Sequence, residues 1–210
     1  MSAVPQPGIY VPGGLPSAAG AATRKALFLD RDGVINVNHG YVCSPERTDW
    51  VPGIFELCTV ARDVGYVLVV VTNQAGIARG YYTEAEFLEY TRWMHGQFAE
   101  RGLEILATVY CPHHPDAGLG EWRVACECRK PAPGMFTLAS QVLGLAPARS
   151  VMVGDKESDL IAASGAGVGK GFLIQPDHPA AFGPVVNYLD DQAVIKAPPA
   201  LKNHDSSHDQ

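Results

Sequence analysis

Two aspartates stand two residues apart, directly before a glycine, in the stretch KALFLDRDGVIN (residues 25–36). Side by side in a cleft, Asp30 and Asp32 would repel each other and shift each other's pKa unless a cation lay between them. With a divalent cation present, one carboxylate can attack phosphorus while the other donates and accepts a proton. Alone, the tetrapeptide DRDG is more typical of a turn, because Asp and Gly are common in loops.

Polar groups also end two later apolar runs of the chain. Thr72 and Asn73 end one run and Asp155 ends another. A third carboxylate would supply a further oxygen ligand for Mg²⁺. Taken singly, the Thr-Asn pair is more typical of a helix cap. Three polar strand ends on one sheet edge favour a binding site instead.

The chain also contains residues that could surround a phosphoryl group. Thr72 offers a hydroxyl to a phosphoryl oxygen, and Lys130 and Lys156 offer positive charge where negative charge develops. Gly33 allows the backbone to turn tightly next to a metal ion. An isolated lysine is usually solvated, so these residues indicate a phosphoryl site only through their order along the chain.

Five short apolar runs rich in β-branched residues must position these groups. Such runs predict strands that are buried on both faces, as in a parallel sheet. The runs cover residues 26–29, 66–73, 105–112, 150–155 and 169–174.

Helical patterns separate the apolar runs. Thr83 and Glu86 form a capping box that opens a helix with a buried stripe at Phe87, Thr91, Met94 and Phe98. Other helices are predicted over residues 54–64, 133–144 and 157–167. The alternation predicts an α/β fold, a doubly wound parallel sheet in which ligands bind outside the carboxyl ends of the strands.

The overall composition excludes several function classes. The chain has 210 residues, 47% apolar residues and a net charge of −6. This size suits one α/β domain, and the acidic balance disfavours nucleic acid or an anionic membrane as a partner. No apolar run reaches the roughly 18 residues of a membrane span, and the first twenty residues do not resemble a secretory signal. We therefore expect a cytoplasmic protein that acts as a monomer.

Four motifs carry a resemblance to a known family. DRDGVIN, TNQAGIARG, CRKPAPGM and MVGDKESDLIAA resemble the motifs of the haloacid dehalogenase (HAD) superfamily of phosphatases. The resemblance implies that Asp30 is the nucleophile and Asp32 the general acid and base. It implies Mg²⁺ bound by Asp30, the Asp32 backbone carbonyl and Asp155. Thr72 and Lys130 would hold the phosphoryl group.

A second group of residues suits zinc. The segments CPHHP and CECRK place two pairs of soft ligands on either side of a loop, which fits a closed tetrahedral Zn²⁺ site with a structural role. The expected ligands are Cys111, His113, Cys126 and Cys128. His114 competes with His113 on spacing alone, and buried thiols or a disulfide are the alternatives. Cys43 and Cys58 have no such neighbours and are expected in the core or a loop.

A zinc loop within this phosphatase fold resembles the D,D-heptose 1,7-bisphosphate 7-phosphatases, whose relatives include the histidinol-phosphate phosphatases. The resemblance implies hydrolysis of the 7-phosphate of a heptose bisphosphate, with histidinol phosphate or another small sugar phosphate as the alternative substrate. It implies substrate contacts at Asn38, His39, Gly40, Tyr41, Asn73, Gln74, Ala75, Arg129 and Lys156. The NHGY segment could equally be only a turn.

The expected organisation is a phosphatase domain over residues 25–195 that contains the zinc loop (111–128) and no large cap domain. A flexible arm rich in Pro and Gly (1–24) precedes it and a polar tail (196–210) follows. A zinc-ribbon module that binds nucleic acid is a competing hypothesis. The acidic composition and the lack of a basic stripe with interleaved aromatic residues argue against it.

Overall fold

The computed structural model of the chain describes residues 5–15, 23–178 and 180–194, and its centre is a six-stranded sheet. The strands are β1 (Gly8–Tyr10), β2 (Ala26–Leu29), β3 (Val67–Asn73), β4 (Ile105–Cys111), β5 (Val151–Gly154) and β6 (Lys170–Leu173). Their order across the sheet is β1-β4-β3-β2-β5-β6. Strands β2 to β6 run parallel, and β1 pairs antiparallel with β4.

Helices cover both faces of the sheet. They are α1 (Ile54–Asp63), α2 (Ala75–Ala78), α3 (Glu84–Ala99), α4 (Gly134–Leu143), α5 (Glu157–Gly165) and α6 (Gly183–Val194). On β2, Leu27 and Leu29 pack with residues of α1, α3 and α6, whereas Ala26 and Phe28 face α4 and α5. Successive residues of a strand point to opposite faces, so a continuously apolar run supplies both halves of the core. The predicted doubly wound parallel sheet is confirmed.

The capping box at the start of α3 forms as predicted. Thr83 Oγ1 accepts a hydrogen bond from the backbone N–H of Glu86 at 3.2 Å, and Glu86 Oε2 accepts one from the backbone N–H of Thr83 at 2.6 Å. The four residues of the predicted stripe are all buried: Phe87, Thr91, Met94 and Phe98.

Three elements are absent from the predicted set. Strand β1 has three residues and α2 has four, and both are too short to produce a periodic pattern. Helix α6 is longer but buries few residues, among them Val185 and Leu189. The structure also differs from the expected flexible arm at Gly8–Tyr10, which pairs with the edge of the sheet. The predicted polar tail lies outside the described residues.

None of the helices in the described part of the chain combines the length and hydropathy needed to cross a bilayer. The longest of them, α3, has 16 residues.

Candidate active site

The carboxyl ends of the three central strands meet in one cleft. Leu29, the last residue of β2, pairs with Val70 of β3 on one side and Val153 of β5 on the other. The residues just beyond these pairs are therefore brought together. The cleft has a volume of about 320 Å³ and is lined by Asp30, Asp32, Asn38, Gly40, Tyr41, Thr72, Asn73, Gln74, Ala75, Gly76, Tyr82, Lys130, Lys156, Ser158 and Asp159.

Lys130 is the cation at the base of the cleft. Its Nζ lies 2.9 Å from Asp30 Oδ1 and 2.7 Å from Asp159 Oδ1, and it donates a hydrogen bond to the carbonyl of Val71 at 2.9 Å. Burial by itself would lower the pKa of Lys130, but Asp30 and Asp159 outweigh it and hold that pKa above its ordinary value. The buried lysine therefore keeps its charge.

Three carboxylates lie close together, and two of them contact this lysine. Asp30, Asp155 and Asp159 each present an oxygen, and these atoms lie within 4.8 Å of one another. Burial, together with the negative charge of Asp30, raises the pKa of Asp155 to about 6. Hard oxygen donors at this spacing, where three carboxylates outnumber the two lysines that pair with them, fit a divalent cation such as Mg²⁺. The side chain of Asp32 is not part of this cluster.

Asp159 is a site residue that the sequence reasoning missed. It is 1% exposed, and its other oxygen accepts a hydrogen bond from the backbone N–H of Lys156 at 3.1 Å. The signal was available in the segment GDKESD, where a second Asp follows Asp155 by four residues. Asp159 is the third residue of α5, and a carboxylate at that position reaches back to the backbone in front of the helix, next to Asp155.

Gly33 leaves room for the carboxylate cluster. Its φ is +99°, and a Cβ atom added there would collide with the carboxylate of Asp155. An L side chain would be disfavoured by the backbone conformation and by this contact together. The glycine that follows the two aspartates is therefore required by the packing of β2 against β5.

The side chain of Asp32 is held by a separate network. Arg31 Nη2 donates to both of its oxygens at 2.9 and 2.8 Å, Asn36 Nδ2 donates at 3.1 Å and Gln74 Nε2 at 3.3 Å. Arg31 is entirely buried and also donates to the carbonyl of Val42 at 2.7 Å. A charged residue of the DRDG segment thus lies inside the protein, where it fixes the position of a carboxylate that opens on the cleft.

The side chains of Asn73 and Gln74 are occupied by protein partners. The amide of Asn73 pairs with the backbone of Lys130, donating to its carbonyl at 3.1 Å and accepting from its N–H at 3.0 Å. Gln74 Nε2 donates to Thr72 Oγ1 at 2.8 Å. Both residues line the cleft as expected for substrate contacts, but these bonds indicate that they position neighbouring groups.

The predicted substrate loop at residues 38–41 borders the cleft at three of its four positions. Asn38, Gly40 and Tyr41 line the cleft, whereas His39 forms an exposed pair with Asp49 at 2.7 Å. Tyr41 has a φ of 51° and packs edge-on against Tyr81, with ring centroids 4.5 Å apart. The segment is therefore a turn, as its residue types predict, and also part of the cleft wall.

The remaining predicted substrate contacts lie in different places: Ala75, Lys156 and Arg129. Ala75 and Lys156 line the cleft, and Lys156 Nζ lies 3.2 Å from Asp155 Oδ2. Arg129 is not among the lining residues found in the described part of the chain. Its guanidinium instead donates to the carbonyl of His113 at 3.3 Å, toward the thiol cluster.

The four predicted zinc ligands come together. The Sγ of Cys128 lies 3.1 Å from that of Cys126, 3.3 Å from that of Cys111 and 3.4 Å from His113 Nδ1. The Cys128 thiol donates to Cys111, which lowers the pKa of Cys111 to about 6. His114 is excluded from the cluster because its Nδ1 accepts hydrogen bonds from two backbone N–H groups nearby.

All five cysteines are free thiols. Four soft ligand atoms within 4.8 Å of one another, with no fifth position facing the cleft, fit a closed tetrahedral zinc site. Cys58 is a buried core residue of α1, and Cys43 is half-buried, as the sequence predicted for residues without partners.

Known proteins that resemble this chain identify its family. Residues 127–174, which include Lys130 and Asp155, match the family model described as HAD-hydrolase-like. The D-glycero-beta-D-manno-heptose-1,7-bisphosphate 7-phosphatase of Vibrio cholerae serotype O1 is 48% identical over 156 residues, 74% of this chain and 84% of that protein. The chain belongs to this family of HAD phosphatases.

The relatives of this phosphatase are named for different anomers of the heptose bisphosphate. The D-glycero-alpha-D-manno-heptose-1,7-bisphosphate 7-phosphatase of Burkholderia mallei is 50% identical over 150 residues, 71% of this chain and 79% of that protein. Among solved structures, the D,D-heptose 1,7-bisphosphate phosphatase from B. bronchiseptica, complexed with magnesium and phosphate, has a TM-score of 0.63 and 35% identity. That likeness covers 72% of this phosphatase and 80% of the B. bronchiseptica chain.

Proposed function

We propose that this phosphatase removes the 7-phosphate of D-glycero-D-manno-heptose 1,7-bisphosphate through an aspartyl-phosphate on Asp30. The observation that carries the proposal is the cluster of Asp30, Asp155 and Asp159, two of which pair with the buried ammonium of Lys130. Relatives at 48% and 50% identity that are named for this substrate support its choice.

Asp30 supplies the attacking oxygen. Its carboxylate is only 5% exposed, and the Lys130 ammonium holds one of its oxygens at 2.9 Å. Attack on phosphorus forms an Asp30–phosphorus bond as the bond from phosphorus to the sugar oxygen breaks. Water then attacks the same phosphorus and the bond to Asp30 breaks, which releases inorganic phosphate and restores the carboxylate.

Asp32 moves the proton in both steps. It protonates the departing sugar oxygen, and in the second step it accepts a proton from the attacking water. The three donors that hold its carboxylate belong to Arg31, Asn36 and Gln74. They keep this group apart from the Asp30 cluster, so one aspartate acts as nucleophile while the other remains free for proton transfer.

The carboxylate cluster fits a magnesium ion. Asp30, Asp155 and the backbone carbonyl of Asp32 would hold it. The ion pair between Asp159 and Lys130 would keep the neighbouring charged groups in position. When bound, Mg²⁺ supplies positive charge that offsets the repulsion between the Asp30 carboxylate and the phosphoryl oxygens. Thr72 would donate a hydrogen bond to the same oxygens, and the positive charge of Lys130 would attract them.

The thiol cluster fits a structural zinc ion held by Cys111, His113, Cys126 and Cys128. Lys130 follows Cys128 by two residues, and the cluster thus anchors the segment that carries the buried ammonium. The zinc-ribbon alternative is disfavoured, because the thiol loop forms part of a phosphatase domain.

Substrate recognition is assigned to the cleft wall. Asn38, Gly40 and Tyr41 on one side and Lys156 on the other border the phosphoryl site and are placed to contact the sugar. Arg129 lies farther out, next to the zinc loop, and is assigned to the second phosphate of the extended substrate. The expected cytoplasmic location and monomeric state remain predictions.

A phosphate-release assay with purified, Mg²⁺-loaded protein tests the proposed substrate. Both anomers of the heptose 1,7-bisphosphate, histidinol phosphate and a small aryl phosphate would be compared. We expect one heptose anomer to give the highest kcat/KM. A higher kcat/KM for histidinol phosphate would contradict the substrate assignment and leave the phosphatase assignment intact.

A further inference from the structure

The side chain of Gln74 connects two groups of the proposed reaction. It is 1% exposed, and its Nε2 donates to Thr72 Oγ1 at 2.8 Å and to Asp32 Oδ2 at 3.3 Å. Its Oε1 accepts a hydrogen bond from the hydroxyl of Tyr82 at 2.7 Å. A buried amide with both ends occupied in this way is fixed in orientation and leaves little of itself for a substrate.

We propose that Gln74, held in place by Tyr82, is a positioning residue that directs the hydroxyl proton of Thr72 toward the phosphoryl group. The inference rests on the proposed function in one respect, namely that Thr72 binds a phosphoryl oxygen. It replaces the expectation that the Gln74 side chain contacts the sugar.

The orientation of the amide follows from the neighbouring carboxylate. Both oxygens of Asp32 accept hydrogen bonds from Arg31, so the end of Gln74 that bonds to Asp32 is its NH₂ end. Thr72 lies on that same side, and its oxygen therefore accepts from Gln74. The hydroxyl proton of Thr72 must then point elsewhere. The described residues offer it no acceptor within hydrogen-bond distance, and Thr72 lines the cleft.

The reversed amide would have the opposite effect. Its oxygen would face the Asp32 carboxylate, which is repulsive, and would also accept the Thr72 proton. The lone pairs of Thr72 would then face the phosphoryl oxygens. The Tyr82 hydroxyl opposes this reversal by donating to the amide oxygen, and burial, which raises the pKa of Tyr82, keeps that hydroxyl protonated.

Three substitutions test the inference in the Mg²⁺-loaded full-length protein. Tyr82→Phe removes the hydroxyl that holds the amide, Gln74→Met removes the donor, and Gln74→Glu replaces it with an acceptor that takes the Thr72 proton. We expect kcat/KM to fall in that order, with Gln74→Glu lower by about ten- to a hundredfold, the range for a hydrogen bond to a charged group.

Two readouts separate positioning of Thr72 from a general loss of structure. Inhibition by inorganic phosphate should weaken by a factor close to the loss in kcat/KM. The loss should also be equal for a sugar bisphosphate and an aryl phosphate, because Thr72 would touch the phosphoryl group of both. A loss confined to the sugar phosphate, whose leaving group needs a proton, would mean that Gln74 acts through Asp32 and would overturn the inference.

A double-mutant cycle tests whether Tyr82 acts through Gln74. Adding Tyr82→Phe to Gln74→Met should change nothing further, whereas additive losses would contradict the inference. Tyr110→Phe is the matched control, because it removes a hydroxyl that donates to Glu84 at 2.7 Å outside the cleft. The control should keep wild-type inhibition by phosphate.

Thr72→Val distinguishes failure of this inference from failure of the proposed function. If Thr72→Val binds inorganic phosphate as the wild type does, the role of Thr72 in the proposed function is wrong. If Thr72→Val weakens phosphate binding and the Tyr82 and Gln74 variants do not, only the positioning role of Gln74 is wrong.

Discussion

The carboxylate cluster and the thiol cluster approach each other along the chain at Lys130 and Cys128, yet they are built differently. The first brings three carboxylates together beside an open cleft, and two of them pair with one buried ammonium. The second brings four soft ligands together away from the cleft, and each ligand faces the others. The first arrangement leaves charge for a ligand to neutralise, and the second leaves no position open.

The energetic consequences of the two clusters should be opposite. The raised pKa of Asp155 shows that its charged form is disfavoured where it stands, so the carboxylate cluster lowers stability until a cation enters. A closed zinc site contributes directly to folding, because the unfolded chain lacks the site. Substitutions in the first cluster should therefore remove activity, and substitutions in the second should remove stability.

The largest effect is expected for Asp30→Asn. An amide cannot form the phosphoenzyme, so kcat should fall by roughly a thousandfold or more. The thermal midpoint should stay the same or rise. Phosphate release measured beside Asp63→Asn, an exposed aspartate paired with Arg62, provides the control. Turnover close to that of the control would remove Asp30 from the role of nucleophile.

Much of this contrast could be predicted from the sequence. Asp30 and Asp155 follow continuous apolar runs, which predict parallel strands, and the carboxyl ends of parallel strands lie at one edge of the sheet. The cysteine pairs gave the thiol cluster by spacing. Spacing could not choose between His113 and His114, since that choice depends on the backbone N–H groups that His114 accepts from.

Other parts of the site depend on tertiary contacts that leave no local pattern. The burial of Arg31 has no local signal in the sequence, because Asp32 and the carbonyl of Val42 hold it inside the protein. Gln74 is read as a substrate contact, but its partners Thr72 and Tyr82 are visible only in three dimensions. Strand β1 depends on pairing with β4 and is too short to be recognised alone.

Removal of zinc should produce the largest loss of stability. Chelation, or Cys128→Ser, should lower the free energy of unfolding by roughly 5 kcal/mol or more, since metal binding and folding are linked. Elemental analysis should find about one zinc per chain in the wild type, consistent with one closed site. Denaturant unfolding with and without chelator provides the measurement. Cys43→Ser, at a half-buried thiol outside the cluster, is the control. Equal stability with and without zinc would reject the structural role.

Lys130→Met tests the residue that lies between the two clusters. Loss of the ammonium leaves Asp30 and Asp159 buried without their cation, and breaking such a buried pair costs about 3 to 5 kcal/mol. Added Mg²⁺ should recover part of this loss because it supplies positive charge to the same carboxylates. Unfolding curves recorded with Mg²⁺ and with chelator would show the difference. A loss of stability that Mg²⁺ does not reduce would mean that Lys130 and the metal ion do not share the same carboxylates.

Asp155→Asn should be inactive yet more stable than the wild type without magnesium. The folded-state pKa of Asp155, about 6, lies above its ordinary 3.8, so folding favours the protonated form. That contribution is complete below about pH 4 and is lost as the pH rises through 6. The free energy of unfolding of the variant should therefore exceed that of the wild type above pH 6, by about 1 to 3 kcal/mol, and the gap should close toward pH 4. A wild type that is the more stable of the two at pH 7 would contradict the repulsion among the carboxylates.

The smallest effect is expected for His114→Ala, and it tests the choice between the two adjacent histidines. His114 is a partly exposed residue whose Nδ1 accepts from the backbone N–H groups of Asp116 and Ala117 at 3.2 and 2.9 Å. Its loss should cost about 0.5 to 1.5 kcal/mol, as for an ordinary hydrogen bond, and should leave zinc content unchanged. His113→Ala removes a ligand from the buried cluster and should lower both zinc content and stability. Because the two variants differ by one position in the same loop, zinc content measured side by side assigns the ligand directly. If His114→Ala loses zinc and His113→Ala retains it, the thiol cluster binds its metal through the other imidazole.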